Sequence, residues 1–427
     1  MIKVGIFGSY NAASIGDFAI LQGIIEQLRS RSNDIVFRVF SFACKETRDF
    51  LIKYENVYCT PSSPLKATEV WKRSDQLWNL HKNAHKSNFI SKSISRFAKM
   101  ILFVANARFW ITKYKEIRDL DLLIIGGGNL LTNLYASWPI YLLIFTMLAK
   151  LAGIPIMFYA VGAGPIKGFL GKLIIKLTIG LADYITVRDE ESANLLVNKG
   201  LLKECIVSAD PALVLHPPQQ EGSKTRLSAE GALIGVTVVP YFRINDWPYP
   251  DMHKYEQYVN WMADILDNMI EKLNCRVVFF GTHYPSDIEV AIEICNRMRR
   301  NNKVIVIKER LDVNAVMKLI LCCDVIIGTR LHSLILSYIC KTPFIGLIYQ
   351  PKVRSFCRYV GLEDFVFELG ERNHEFFLAK LGWILQHKED IITKMSEKLP
   401  WLIKKSNISA DLALSLVQKK IQDQKLR

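Results

Sequence analysis

Several signatures that would quickly assign a sequence are missing here. Nine cysteines occur in 427 residues, at 44, 59, 205, 275, 295, 322, 323, 340 and 357, and none forms a C-x-x-C pair. An odd, scattered set reads as free thiols in a reducing compartment, not as a disulfide frame. There is no H-E-x-x-H and no ligand cluster at metal spacing, so no metal site is expected. His283 and Asp287, in THYPSD, would act as ligands only by tertiary accident. Neither G-x-G-x-x-G nor G-x-S-x-G occurs, which excludes the dinucleotide fingerprint and the hydrolase nucleophile elbow. No long apolar region with a cleavage site follows MIKVGIFGSYN, so no signal peptide is expected and the chain is placed in the cytoplasm. The apolar stretch Tyr141–Gly164 is interrupted by Lys150 and broken by Gly153-Ile154-Pro155. It reads as helix, turn and buried strand, not as a membrane span.

Acidic residues are the minority charge: 41 Asp and Glu against 55 Lys and Arg give a formal +14. The excess is uneven. Between Lys66 and Arg118 there are twelve basic and three acidic residues. Within this segment Ile94, Phe97, Ile101 and Val104 recur at roughly helical spacing, with Arg96, Lys99 and Arg108 beside them. Such a helix suits either an anionic membrane surface or a lipid-linked substrate, or is simply the solvated face of an insertion. No recognition module accompanies the charge, so nucleic acid is not an expected partner.

What is present is a long alternation of apolar strands, loops and helices. Half of the residues are hydrophobic, which argues against disorder, and the length calls for more than one core. IKVGIFG, IVFRVFSF, DLLIIGGG, PIMFYAVG and DYITV read as buried parallel strands separated by helices. ALIGVTVVP, CRVVFFG, KVIVI, CDVIIG and TPFIGLI start and continue a second series. The expected fold is α/β, with two doubly wound α/β domains facing a cleft, where strand C-termini in open sheets bind ligands. The expected domains are 1–216, with the basic helical insertion at 66–118, and 231–375, joined by a polar linker at 217–230. A helical extension follows at 376–427, and its end, QKKIQDQKLR, is expected to fray.

The polar residues at strand ends are the candidates for chemistry. Gly16 and Asp17 lie between the first strand and its helix, where Asp17 could cap that helix. Gly126, Gly127 and Gly128 could bring backbone amides to an anion, with Asn129 reading the ligand, or could serve only a tight turn. Arg188 stands before a helix N-terminus, which is the positive end of the dipole. It therefore needs a carboxylate or an anionic ligand. The same holds for Arg330, whose fork can grip a carboxylate or phosphate at two points; a structural ion pair with an acid such as Asp324 is the alternative. His332 is placed to exchange protons near neutrality, unless it only hydrogen-bonds backbone. Tyr349 and Lys352 fall in the loop after the next strand and could line the same site.

The motifs SIGDFAIL, IIGGGNL, AVGAGP, TVRDEES, SADPALVL and IIGTRLHSLILSYICKTPFIGLIYQPKVRSF, in this order, resemble the polysaccharide pyruvyl transferase family over roughly Gly5 to Leu362. The resemblance implies a two-domain architecture like that of one glycosyltransferase class (GT-B-like). It implies transfer of a pyruvyl group from phosphoenolpyruvate onto two hydroxyls of a sugar, in a surface glycan or lipid-linked precursor, as a cyclic ketal. Donor binding and catalysis would fall on Arg330 and His332, with Arg188 a second basic position. Phosphoenolpyruvate enters as donor substrate, and no cofactor is called for. One departure stands out: the family commonly has Asn-x-Gly-Asp in the first loop, often followed by Glu, where this chain has Ser14, Gly16, Asp17 and Phe18. A GT-B-like glycosyltransferase using a nucleotide-sugar donor would share the glycines and the cleft. A non-catalytic glycan-binding or assembly protein is a third reading.

Overall fold

The computed structural model describes residues 1–10, 13–63, 106–134, 137–219, 231–247, 249–370 and 373–426. Most of the basic insertion, including the amphipathic pattern at 94–104, and most of the expected linker therefore lie outside the described residues. The described chain divides into two compact units. One comprises Met1–Asn11, Leu28–Thr186 and Asp411–Arg427; the other comprises Ala12–Gln27 and Val187–Ala410.

The first series of strands is β1 (Ile2–Phe7), β2 (Ile35–Ser41), β3 (Val57–Pro61), β4 (Leu122–Gly126), β5 (Ile156–Val161), β6 (Tyr184–Val187) and β7 (Ile206–Val207). They form a sheet in the order β3-β2-β1-β4-β5-β6-β7. The registered pairs are parallel, with Val4 opposite both Phe37 and Leu122. The interleaved helices are α1 (Ile15–Arg29), α2 (Cys44–Leu51), α3 (Ala107–Arg118), α4 (Trp138–Leu151), α5 (Phe169–Gly180) and α6 (Glu190–Asn198). β4 and β5 are buried at every position, as strands covered on both faces must be. Phe7 stacks on Phe145 at 3.9 Å, and Trp138 lies against the same ring. The stretch from Tyr141 to Gly164 is the end of α4, a turn at Gly153 and buried β5. Among the described residues, no helix is long and apolar enough to cross a membrane.

The second series comprises β8 (Leu233–Thr237), β9 (Arg276–Phe279), β10 (Val304–Val306), β11 (Val325–Gly328), β12 (Phe344–Ile348) and β13 (Val366–Glu368). Their order is β10-β9-β8-β11-β12-β13, again with parallel pairs. Its helices are α7 (Met252–Leu273), α8 (Ser286–Arg297), α9 (Val313–Cys322), α10 (Leu331–Ile339) and α11 (Pro351–Val360). Two more follow, α12 (His374–Gln386) and α13 (Lys388–Lys425). The C-terminus departs from expectation: α13 continues through QKKIQDQK to Lys425. Val417 is buried on this helix, and Lys420 donates to the Leu120 carbonyl at 2.6 Å. These contacts hold the end that composition alone would release.

Candidate functional site

The second unit gathers most of the polar residues singled out above, and each arrives from a segment that follows a strand or begins a helix. Arg188 follows β6, the Thr282–His283 loop lies between β9 and α8, and Arg330 and His332 start α10 after β11. Tyr349 and Lys352 connect β12 to α11. Strand C-termini point their backbone and first helical turns toward one side of a parallel sheet, which is why sites form there.

At the base is Asp287, on the first turn of α8 and fully buried. Its carboxylate accepts hydrogen bonds from the amides of Thr282 (3.2 Å) and His283 (2.8 Å). It also accepts from Arg330 Nε at 3.2 and 3.3 Å and from Nη2 at 2.5 Å. The partner of Arg330 is thus Asp287, not Asp324. Asp324 instead accepts from the Leu233 amide and from Lys388 Nζ. Burial opposes the charge on Arg330, but the Asp287 carboxylate and the Tyr349 hydroxyl outweigh it and hold the guanidinium more firmly protonated than usual. His283 responds in the opposite sense. Burial and the Arg330 charge push its pKa down to about 4, so it is neutral at pH 7.

The loop held by Asp287 also fixes the start of α1. Ile15 donates its amide to the Thr282 carbonyl at 2.8 Å, Tyr284 donates to the Ala13 carbonyl at 2.7 Å, and Ser14 bridges to His283. Ser14 Oγ accepts the Asp17 amide at 3.3 Å. The helix is therefore capped by Ser14, and Asp17 is released from the capping role expected of it. Gly16 lies against the His332 ring. A Cβ at this position would stand 2.1 Å from His332 Nδ1, so only glycine admits the imidazole.

Two carboxylates of this cluster, Asp210 and Asp17, have opposite tendencies. Asp210 is buried, which would raise its pKa. The His332 ring and the Arg188 guanidinium beside it, with the Ala212 amide at 3.0 Å, outweigh burial and hold it below the ordinary range. Arg188 Nη1 lies 3.3 Å from Asp210 Oδ2, and its Nε lies 3.3 Å from Asp189. Asp189 also caps α6, through the Ser192 amide. His332 Nε2 sits 3.6 Å from Asp210 Oδ2, too far for a hydrogen bond, and is buried without a hydrogen-bond partner. Asp17 differs. Crowding by the protein lifts its pKa to about 7, despite opposition from the Ser14 hydrogen bond, Lys352 and Arg188. The residue as a whole is partly exposed. Tyr349 is buried, which would raise its phenol, but Lys352 and Arg330 together bring it below the usual value. Lys352 Nζ lies 5.1 Å from the centre of its ring.

The glycine run belongs to the first unit. Gly127 and Gly128 have φ of 107° and 58°, and a Cβ on Gly127 would meet the Tyr10 ring at 3.1 Å. The Gly128 carbonyl accepts the Gly162 amide at 2.9 Å. Asn129 donates to the Gly164 carbonyl, so its side chain is committed to the following loop. Sequence reasoning did not give Asp210 or Asp287 their roles. The signal was present in part: two arginines at helix N-termini need a carboxylate or an anionic ligand. Their partners, however, stand 22 and 43 residues away.

Two parallel-sheet α/β domains resemble a GT-B-like Rossmann architecture. The sequence profile of the family "Polysaccharide pyruvyl transferase" matches residues 15–351, and the chain belongs to that family, whose members are transferases of the pyruvyl-transfer type. The amylovoran biosynthesis protein AmsJ of Erwinia amylovora is 21% identical over 415 residues, covering 91% of this chain and 94% of that protein. Solved structures share the fold at low identity. A putative UDP-N-acetylglucosamine 2-epimerase from Listeria monocytogenes has a TM-score of 0.59 and 13% identity, covering 99% of this chain and 97% of its own. A glycosyltransferase from Rickettsia africae ESF-5 has a TM-score of 0.57 and 11% identity, covering 98% of both chains.

Two substitutions test this geometry. Asp287→Asn removes the charge that Arg330 faces and is expected to destabilise the protein by about 3–5 kcal/mol in denaturant unfolding, as for other broken buried pairs. Gly16→Ala adds up to ~1 kcal/mol of helix propensity but drives a methyl into the imidazole. It is expected to lower kcat/KM at least about tenfold, through a displacement on the scale that costs positioning, while the unfolding midpoint stays near that of the wild type.

Proposed function

We propose that the protein transfers the pyruvyl group of phosphoenolpyruvate to two hydroxyls of one sugar in a surface glycan or a lipid-linked precursor, forming a cyclic ketal and releasing phosphate. The observation that carries this reading is the presence, in one cluster, of a carboxylic acid lifted to about pH 7, Asp17, and a carboxylate held ionised, Asp210, which lies 3.6 Å from His332. Environments that push two acids apart are how acid and base roles are divided at neutral pH.

Phosphoenolpyruvate brings one carboxylate and one phosphate. Arg330, anchored through Nε and Nη2 on Asp287, and Lys352 supply positive charge for them, and Arg188 adds a third cation. In the reaction the methylene carbon gains a proton and becomes a methyl group. C2 accepts the first sugar hydroxyl, the C2–O bond to phosphate breaks, and the second hydroxyl closes the ring at C2. Two hydroxyl protons are released; one balances the proton taken by carbon, and the other leaves with phosphate. Asp17 serves as the acid for carbon, and His332, backed by Asp210, takes the proton of the attacking hydroxyl. Arg330 and Lys352 stabilise the departing phosphate.

Calorimetric titration with phosphoenolpyruvate, beside uridine and guanosine diphosphate sugars, tests the donor. Saturable phosphoenolpyruvate binding that weakens at least about tenfold in Arg330→Ala, in line with loss of a charged contact, is expected. Binding of nucleotide sugars alone would replace this reading with a glycosyltransferase. The acid role predicts a pH profile as well. Because its pKa is raised, Asp17 keeps its proton below about 7 and loses it above. The kcat/KM for phosphate release should therefore fall as pH rises through this value, and Asp17→Asn should remove that limb and cost at least about 100-fold.

A further inference from the structure

Helix α5 has apolar residues on every side. Ile175, Thr178 and Ile179 are its buried face. Turned away from them, at 100° per residue, are Phe169, Leu173 and Leu177 at i, i+4 and i+8, with Leu170 beside them. These are 81%, 38%, 52% and 67% exposed. A helix of ordinary surface type carries charged and polar groups there. Here the solvent face is a stripe of large apolar side chains, bordered on one side by exposed Lys172 and Lys176. Helix α4 packs against α5 and ends in exposed Met147, Lys150 and Leu151. No Asp or Glu occurs between Asp121 and Asp183, so the lysines of this region have no acidic neighbour along the chain.

We infer that the exposed face of α5 is a membrane-docking surface that seats the first unit on an anionic lipid bilayer. The apolar stripe would enter the boundary between headgroups and acyl chains, ~5–10 Å deep, while Lys172 and Lys176 reach the lipid phosphates beside it. The charge decides between occupants. A second copy of the chain would bring the same lysines and the same lack of acids to the contact, whereas an anionic leaflet complements both the charge and the apolar stripe. The surface is independent of how the strand-end site is read.

The test is co-sedimentation of the full chain with vesicles of mixed phosphatidylglycerol and phosphatidylcholine, and with phosphatidylcholine alone, at low and high salt. Wild type is expected to bind the mixed vesicles and to retain part of the binding at high salt. Phe169→Ser with Leu173→Ser and Leu177→Ser leaves the net charge unchanged and should weaken partitioning at least about tenfold, since three large apolar side chains no longer enter the lipid. Lys172→Glu with Lys176→Glu, which leaves the stripe intact, should weaken binding to the mixed vesicles and make it insensitive to phosphatidylglycerol. Both variants are compared with wild type in thermal unfolding. Undiminished binding of the triple serine variant would overturn the inference and assign the binding to charge elsewhere on the +14 chain. Failure of wild type to bind would also overturn it. A fall in oligomer mass for the serine variant in sedimentation equilibrium would then show that the face joins copies of the chain.

Discussion

A single buried carboxylate organises the site. Asp287 has no access to solvent, and an isolated charge in that position would be expensive. It is tolerated because two backbone amides and a guanidinium satisfy it together. Each of these partners has a further consequence. The guanidinium is Arg330, fixed at the N-terminus of α10 two residues before His332. The amides are those of Thr282 and His283, and their loop receives Ser14 and Ile15 at the start of α1. The first turn of α1 and the first turn of α10 are thereby brought together by one side chain.

The remaining chemistry follows from charge balance around that frame. Arg188, Arg330 and Lys352 stand in one cluster with three carboxylates, Asp189, Asp210 and Asp287. Arg188 and Arg330 lean on Asp210 and Asp287, while Lys352 lies over the Tyr349 ring. Asp17 is the carboxylate that burial lifts to about 7. A site with three cations and an acid that holds its proton near neutrality suits a donor that is itself anionic and must be protonated on carbon.

Much of this was legible in the chain. Apolar runs such as LLIIG and FIGLI can only be strands buried on both faces, and their alternation with helices gave two parallel sheets. The order of the short motifs gave the family. The helix-dipole argument at Arg188 and Arg330 asked for a carboxylate or an anionic ligand and could not name Asp210 or Asp287, because pairings across 22 and 43 residues are set by sheet order, not by local pattern. Asp17 looked like a cap because Asp at a helix start usually is one; Ser14, three residues earlier, took that role. Asn129, expected at a ligand, is spent on the Gly164 carbonyl. The apolar stripe of α5 was hidden for another reason: apart from Lys172 and Lys176, GKLIIKLTIGLA carries apolar residues around most of the helix, and periodicity cannot tell which side a sheet covers.

The division of labour between two acids is the central claim, and the titration of Asp17 tests it most directly. Carbon-13 labelling of aspartate carboxyls, with Asp17→Asn to assign the resonance, gives its midpoint in the free protein. The account predicts a midpoint near 7. A midpoint at the ordinary aspartate value, about 3.9, would leave Asp17 ionised throughout the working range and would contradict its role as the acid.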